Sequence, residues 1–347
     1  MMRIGVNALY LIPGGVGGTE IYLRNLLSAL ARIDVQNQYF VFTNRETGAD
    51  LVPAQPNFHH VPQAVRAAFR PGRMLWEQIL LPLAAKRRGI DVLFNPGFTC
   101  PAFAPCPNVT VFHDLQHKRH PEYFRWFDLP FWRFFLWLAA RRSRGLIAVS
   151  QATAEDLRRF YEASSQVIHH GVEPAFFEIA NHREPGEYLL CVSTLHPHKN
   201  LESLLRVAGN TRLVITGLRG FATQELEAAA GRHARFTGWI PREDLYELFR
   251  QARGFIYPSK FEGFGMPVLE AMAAGVPVAC SDIPPLREIA DGCAFFFDPN
   301  DEVAMRQAML RALGDTSLVE KARERAASFT WESAARATLD YLSRSSN

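Results

Sequence analysis

Short apolar runs rich in β-branched residues recur along the chain at 3–10, 38–43, 91–94, 109–113, 145–149 and 166–169. A second series follows at 188–193, 212–216, 234–237, 254–257, 276–280 and 294–297. Between these runs lie stretches with helical spacing of apolar positions, such as 19–32, 151–161, 200–208, 242–251 and 267–274. Regular alternation of strand and helix predicts an α/β chain, with parallel sheets covered by helices on both faces. The series restarts near residue 185, after VEPAFFEIANHREPGE. That stretch holds Pro174, Pro185 and Gly186, has weak periodicity, and is expected to be the inter-domain linker. The tail FTWESAARATLDYLSRSSN reads as a helix after a break. It can finish the second domain or cross back onto the first, and the pattern leaves both open.

Length supports two domains. At 347 residues and 48% hydrophobic content, the chain is too long for one ordinary core and apolar enough to build two. The 38 basic residues against 35 acidic ones leave a surplus of +3, too small a footprint for a nucleic-acid partner. The cysteines Cys100, Cys106, Cys191, Cys280 and Cys293 are odd in number and form no C-x-x-C pair, as expected of a reduced, cytoplasmic chain. Arg3 leads at once into IGVNALYLI, which reads as a buried first strand; a signal peptide needs a longer apolar run and a small-residue cleavage site. The longest apolar stretch, FDLPFWRFFLWLAA at 127–140, is interrupted by Arg133 and falls short of the roughly 20 residues that span a bilayer. With Arg141, Arg142 and Arg144 behind it, it reads first as a core helix with a solvated basic end. The sharper alternative is a patch of aromatics and arginines over 124–144 that lies peripherally on the inner face of a membrane.

Four places can carry chemistry. The turn GGVGGTE at 14–20 joins the first strand to an amphipathic helix, where glycines allow close backbone approach and a helix N-terminus favours an anion. Glu20 stands where a dinucleotide fingerprint needs its third glycine after Gly15 and Gly17, which disfavours a nicotinamide site. VTVFHDLQHKRHPEYF at 109–124 ends a strand with His113 and Asp114, where parallel sheets place ligand-facing residues. His113, His117 and His120 match no trusted zinc spacing, so no metal is expected. CVSTLHPHKNLESLL at 191–205 puts His198 and Lys199 at a helix start, where a lysine can meet a phosphate; a solvated lysine is the plain alternative. The strongest signal is EGFGMPVLEAMAAGVPV at 262–278. Glu262 precedes the turn Gly263-Phe264-Gly265, Pro267 suits the first helical position, and Glu270 falls just beyond the first turn. Two carboxylates thus bracket a loop whose amides face an anion. Carboxylates accept hydrogen bonds from sugar hydroxyls and helix-end amides hold a diphosphate, which suits a nucleotide-sugar.

The ordered set resembles the family 4 glycosyltransferases of the GT-B fold over nearly the whole chain. It comprises the glycine turn at 14–18, FHDL at 112–115, IAVSQATAEDL at 147–157, VIHHGVEPAFF at 167–177, STLHPHKNLESLL, RFTGWIPREDLYELFRQARGFIYPS, EGFGMPVLEAMAAGVPV, SDIPPLREI and AFFFDPND. The resemblance is closest to a mannosyltransferase-like subgroup. It implies two Rossmann-like domains facing each other across a cleft. Residues 1–176 would form the acceptor-side domain, with 331–347 packing back on it, and 177–330 the donor domain. It implies a retaining hexosyltransferase with no tightly bound cofactor. The substrates implied are a GDP- or UDP-sugar donor and a glycan or polyprenyl-linked acceptor of surface polysaccharide.

By the same resemblance, Glu262 meets donor sugar hydroxyls and Glu270 the ribose. Phe264, Gly265 and Met266 line the sugar with backbone groups, and the helix from Pro267 faces the diphosphate with Lys199. Gly15 and Gly17 let the first domain close over the donor, and His113 faces the reacting centre. The chain departs from the pattern where His198 replaces an arginine, where Ser193 and Thr194 stand at another arginine position, and where His170 replaces an asparagine. These changes put the diphosphate clamp and donor identity in question. A GT-B sugar-nucleotide epimerase and a non-catalytic nucleotide-sugar-binding subunit remain alternatives; the intact pair Glu262 and Glu270 speaks against the second.

Overall fold

The computed structural model describes residues 1–220, 226, 228, 230, 231 and 233–346. The chain divides into two compact units, Met1–Gly171 with Trp331–Asn347, and Val172–Thr330.

The first unit holds strands β1 (Arg3–Asn7), β2 (Gln38–Thr43), β3 (Phe58–Pro62), β4 (Val92–Asn95), β5 (Asn108–Phe112), β6 (Gly145–Ala148) and β7 (Gln166–Val167). They form one parallel sheet in the order β3-β2-β1-β4-β5-β6-β7. The second unit holds β8 (Tyr188–Val192), β9 (Arg212–Thr216), β10 (Ala234–Gly238), β11 (Gly254–Tyr257), β12 (Val278–Ser281) and β13 (Phe295–Phe297). They too are parallel, in the order β10-β9-β8-β11-β12-β13. Every residue of β4, β5, β6, β11 and β12 is buried, as central strands covered on both faces must be. Each unit is therefore a doubly wound, Rossmann-like α/β domain.

The closing helix Trp331–Ser346 belongs to the first unit and packs along Gly18–Ile33. Ala335 and Leu342 are fully buried there, and the Leu146 amide donates to the Tyr341 hydroxyl at 3.2 Å.

Several elements differ from the sequence reading. β1 ends at Asn7 instead of running to residue 10, because the chain enters a turn that the Leu11 amide closes on the Ala8 carbonyl at 3.2 Å. The sequence pattern does not mark β3 or the helix Arg70–Arg87. That helix buries Arg73 and Glu77 beside Met74, Leu81 and Ala85, and exposes Leu75, Ile79 and Leu83, so it is apolar on both faces. The stretch expected as a linker is structured. Pro174–Asn181 is a helix started by Pro174, and its Phe176 is fully buried edge-on to Tyr246 and Phe249, at 5.1 and 5.2 Å between centroids. Residues 172–176 lie in the second unit and not with residues 1–171.

The 127–140 stretch forms the helix Leu129–Arg142, and only Leu136, Ala139 and Ala140 are buried along it. Phe134 and Trp137 stay exposed, so the core-helix reading holds for one face alone.

If 174–181 is part of the second unit's core, Phe176→Ala should cost about 3–5 kcal/mol. Urea titration of the full chain should show the transition of that unit moving to lower denaturant. A linker residue would leave every transition in place.

Candidate active site

In the second unit the strand order reverses direction between β8 and β11, and such a reversal opens a crevice beyond the strand ends. Lys199 comes from the turn after β8 and Glu262 from the loop after β11. The Lys199 ammonium donates to Glu262 Oε1 at 2.5 Å and to the Tyr257 hydroxyl at 3.1 Å, and it lies 5.3 Å from the Tyr257 ring centre. Both side chains of the ion pair are about nine-tenths buried, at 12% and 10% exposure. Burial drives the Tyr257 hydroxyl far above its ordinary pKa, with the Glu262 carboxylate adding to the effect. Tyr257 therefore stays a neutral hydroxyl beside a cation.

Local backbone fixes this arrangement. Pro197–Lys199 is a 3-10 turn, Asn200 adopts a left-handed φ of 56°, and the helix Leu201–Ala208 follows. The His198 carbonyl accepts the Lys260 amide at 2.8 Å, tying the loop after β8 to the loop after β11. The His198 ring lies with Nδ1 at 2.7 Å from Nδ1 of His196, so one of the two rings donates to the other.

Beyond Glu262 the chain turns through Gly263, Phe264 and Gly265 into the helix Met266–Ala273. Gly265 has φ of 110°, and a Cβ there would come within 2.4 Å of Leu286 Cδ2. Only glycine fits both demands. Phe264 is buried edge-on to Phe329 at 6.2 Å. Pro267 stands in the first turn as expected.

Glu270 is buried on that helix and bonded to a residue that no local sequence signal marks. Arg242, at the start of the helix Arg242–Gln251, donates to Glu270 Oε1 at 2.6 Å. The same guanidinium donates to Glu173 at 2.6 and 3.3 Å, and the Tyr246 hydroxyl donates to Glu173 at 2.5 Å. Phe176 and Tyr246 present ring faces to Arg242 at 4.9 and 5.5 Å. Burial raises the Glu270 pKa, Arg242 opposes that rise and Glu173 adds to it. Burial also pulls on the Arg242 pKa, but the two carboxylates outweigh it and hold the guanidinium charged. Nothing local in PREDLYELF marks Arg242, because its partners lie 28 and 69 positions away.

The first unit holds the other candidates. Gly17 has a left-handed φ of 58° and caps the helix Gly18–Ile33, and the Gly15 amide closes a turn on Ile12 at 2.8 Å. Glu20 reaches back to accept the Gly14 amide at 2.7 Å, so the chain's own carboxylate occupies part of the turn expected to attract an anion. His113 directly follows β5, is buried, and places Nε2 2.8 Å from the Pro96 carbonyl. A carbonyl only accepts, so Nε2 carries the proton and Nδ1 is the acceptor. Burial lowers the His113 pKa to about 4, which keeps the ring neutral near pH 7. Tyr22, Phe98 and His170 surround it at 4.9, 5.1 and 5.6 Å. His170, which departs from the family pattern, also stacks on Trp331 at 5.9 Å. His117 and His120 turn elsewhere, to Tyr161 and Glu122.

The geometry thus unites Lys199, Glu262 and the turn 263–265 in one loop cluster of the second unit, with Glu270 on the helix that follows. Gly15, Gly17 and His113 belong to the first unit.

Comparison with known proteins gives this arrangement a family. Residues 172–329 match the family described as Glycosyl transferases group 1, and residues 16–176 match Glycosyltransferase Family 4. The O-antigen chain mannosyltransferase B of Escherichia coli is 31% identical over 264 residues, covering 67% of this chain and 69% of that protein. Sucrose-phosphate synthase of Thermosynechococcus elongatus has the same fold, with a TM-score of 0.78 at 18% identity and 99% of each chain covered. HepE of Anabaena, solved with UDP-glucose, gives a TM-score of 0.74 at 18% identity over 99% of this chain and 100% of that one. These structural neighbours are GT-B glycosyltransferases, and at such identity they speak to fold alone. The relative from Escherichia coli and the two matched segments together show that the chain belongs to the family 4 glycosyltransferases, carries their group 1 domain in its second half, and is a sugar-transferring enzyme.

Proposed function

We propose that the protein transfers a hexose, with retention of anomeric configuration, from a GDP- or UDP-sugar to a glycan or polyprenyl-linked acceptor in surface polysaccharide synthesis. Mannose is the first choice of sugar, since the relative from Escherichia coli is described as a mannosyltransferase. The observation that carries the reading is the Lys199–Glu262 pair, set beside the glycine turn at the start of the helix Met266–Ala273.

In this mechanism the bond between the anomeric carbon and the diphosphate oxygen breaks, and its electrons leave with the diphosphate. The acceptor hydroxyl oxygen bonds to the anomeric carbon on the same face. Its proton passes to the departing phosphate oxygen, so no strong protein base is required. Lys199 shifts from Glu262 toward the growing phosphate charge, a stabilisation larger in the transition state than in the ground state. Glu262, relieved of its cation, accepts hydrogen bonds from sugar hydroxyls. Backbone groups of Phe264, Gly265 and Met266 line the sugar, and Glu270 takes the ribose. His113 stays neutral and offers Nδ1 as an acceptor at the reacting centre. His198 stands in for the missing arginine at the diphosphate.

Contact with a lipid surface belongs to the same proposal. None of the described helices is long and apolar enough to cross a membrane. Helix Arg70–Arg87 packs Leu81 and Ala85 on Phe42 and Leu93, and helix Leu129–Arg142 packs Leu136 and Ala139 on Phe112, Leu146 and Ala148. In register Leu93 opposes Asn108 and Phe112 opposes Ala148, so both helices cover the same face of the first sheet. Their outward stripes are apolar: Leu75, Ile79 and Leu83 on one, Phe134 and Trp137 on the other. Arg70 bridges them, donating to Asp128 at 3.1 Å and lying 5.2 Å from the Trp132 ring centre. Trp126, at 84% exposure, extends the face through the 124–144 segment. The two helices carry seven basic side chains against one acidic residue, the buried Glu77. Apolar stripes in a basic frame suit the interface of an anionic bilayer.

Thermal unfolding with a panel of nucleotides and nucleotide-sugars tests the donor. A true donor at about 100 times its dissociation constant adds roughly 2.7 kcal/mol, and each kcal/mol moves the midpoint by about 2–4 °C for domains near this size. We expect a selective shift with one sugar diphosphate, and a strong fall in turnover for Lys199→Ala. No shift with any sugar nucleotide would overturn the reading. Turnover of donor without acceptor would favour an epimerase, and binding without turnover a non-catalytic subunit.

Vesicle sedimentation tests the lipid face. The protein should pellet with vesicles containing phosphatidylglycerol and not with phosphatidylcholine alone. The double variant Ile79→Ser with Trp137→Ser should lose most of that binding, while Leu310→Ser, an exposed apolar site in the other unit, should keep it. Binding indifferent to the double variant, or concentration-dependent self-association in place of vesicle binding, would count against a lipid face.

A further inference from the structure

Glu270 is the only carboxylate on the helix Met266–Ala273, and it is largely buried, at 6% exposure. A buried carboxylate kept as a hydrogen-bond acceptor needs a fixed positive partner. Arg242 is that partner, and it is itself held. One guanidinium spans Glu270 and Glu173, with Tyr246 bonded to the far oxygen of Glu173 and two ring faces against the guanidinium plane. Its contact to Glu270 goes to Oε1 alone. That leaves Oε2 and the second lone pair of Oε1 for a ligand with two adjacent hydroxyls.

We propose that Arg242 is a positioning residue for donor recognition: anchored by Glu173, it orients the Glu270 carboxylate as a double acceptor for the vicinal hydroxyls of the donor ribose. The inference rests on the reading of Glu270 as the ribose-binding residue. Arg242 acts through Glu270 and does not itself touch the donor. Lysine cannot replace it fully: Nη2 donates to both carboxylates while Nε donates to the second Glu173 oxygen, and an ammonium has no second nitrogen for that bond.

The charge balance around Glu270 predicts how its loss would read out. The helix Met266–Ala273 packs against Pro174–Asn181, Pro284–Ala290, Val319–Ala327, β11 and β12. Of the charged groups on and beside these elements, Glu173 and Arg242 act on Glu270. Glu178, Glu288, Lys321 and Glu324 on the same elements are not among the charges that act on Glu270, and Arg287 is bonded to Asp282, Arg325 to the Ile289 and Glu288 carbonyls, Arg323 to Asn181 and Glu320, and Tyr257 to Lys199. Without Arg242, burial and the Glu173 charge both favour the protonated acid. A protonated Glu270 loses one acceptor oxygen. Donor affinity should then fall and return as pH rises, by up to about tenfold per pH unit while the acid form dominates.

The test is donor binding by calorimetry for the full chain and for Arg242→Met and Arg242→Lys, from about pH 7 to about pH 9. We expect Arg242→Met to bind the donor roughly tenfold or more weakly near neutral pH, with the deficit shrinking toward pH 9, and with turnover at saturating donor close to that of the unaltered enzyme. Arg242→Lys should bind at intermediate strength without the pH-dependent recovery. A second, donor-free readout is the infrared band of a protonated carboxyl, expected near neutral pH in Arg242→Met and absent when Glu270→Gln is added. Unaltered affinity in Arg242→Met, a loss that no pH restores, or absence of that band would each overturn the proposal. If the unaltered enzyme binds no nucleotide-sugar at all, the reading of Glu270 itself fails; if it binds and Arg242→Met binds equally well, only the role of Arg242 fails.

Discussion

The arrangement of the second unit depends on one topological constraint: its first and fourth strands, β8 and β11, are neighbours in an all-parallel sheet. Parallel strands deliver all their exit loops to one end, and the reversal of strand order there keeps those loops from closing over each other. Lys199 and Glu262 are 63 positions apart, yet the sheet brings them into a 2.5 Å ion pair. Tyr257, the last residue of β11, is placed by the same pairing and completes the cluster. The surrounding details serve to hold those two loops in place: the left-handed Asn200, the bond from the Lys260 amide to the His198 carbonyl, and the obligatory Gly265.

A second constraint is electrostatic. Burying two carboxylates with one guanidinium is costly, and such clusters often stabilise a fold less than apolar packing of the same volume would. Glu270, Arg242 and Glu173 therefore need a reason beyond stability. The helix Pro174–Asn181 supplies part of the price: its Phe176 packs on Phe249 and shields the guanidinium face, so the ionic cluster is desolvated by the segment whose prolines and weak periodicity read as a linker. The first unit has its own buried charges, Glu77 and Arg73, set under the ends of β1 and β4, where Asn7 and Thr99 donate to Glu77. In the first unit Asn7, Thr43 and Asn95 place buried polar groups at strand ends, as Thr216 and Ser281 do in the second, while most mid-strand residues are apolar.

This distribution explains what the sequence could disclose. Buried parallel strands are continuous apolar runs, so nearly every strand was legible, as were the glycine turns and the paired glutamates, whose signals are local. β3 escaped notice because FHHVP carries two histidines and a proline at a sheet edge. The helix Arg70–Arg87 escaped because its apolar periodicity is split between an inward face and an exposed one, with Pro82 inside it. Arg242 escaped for a different reason. PREDLYELF is an ordinary polar helix start, and an arginine there is usually solvated; only the folded chain brings Glu173 and Glu270 to it. The same limit applies to Tyr257, which the pattern shows only as the end of a strand.

The titration states narrow the chemistry that this family fold can perform here. His113 is neutral, with its one N–H committed to a backbone carbonyl and its pKa lowered by burial to about 4. Protonating it near pH 7 would be unfavourable, so it is poorly suited to donate a proton to a leaving group. Tyr257 is held as a neutral hydroxyl far from ionisation. In the proposed transfer, the group that would answer developing negative charge is the Lys199 ammonium, which sits against the Glu262 carboxylate with both side chains about nine-tenths buried. Exchanging one oxyanion for another there requires little reorganisation, and that is the condition under which fixed charge is most effective. A reaction whose leaving group carries its own acceptor oxygen needs nothing more from the protein than such a cation, a set of oriented acceptors, and exclusion of water. In the proposed transfer, Lys199 would be that cation, and Glu262 and Glu270 those acceptors.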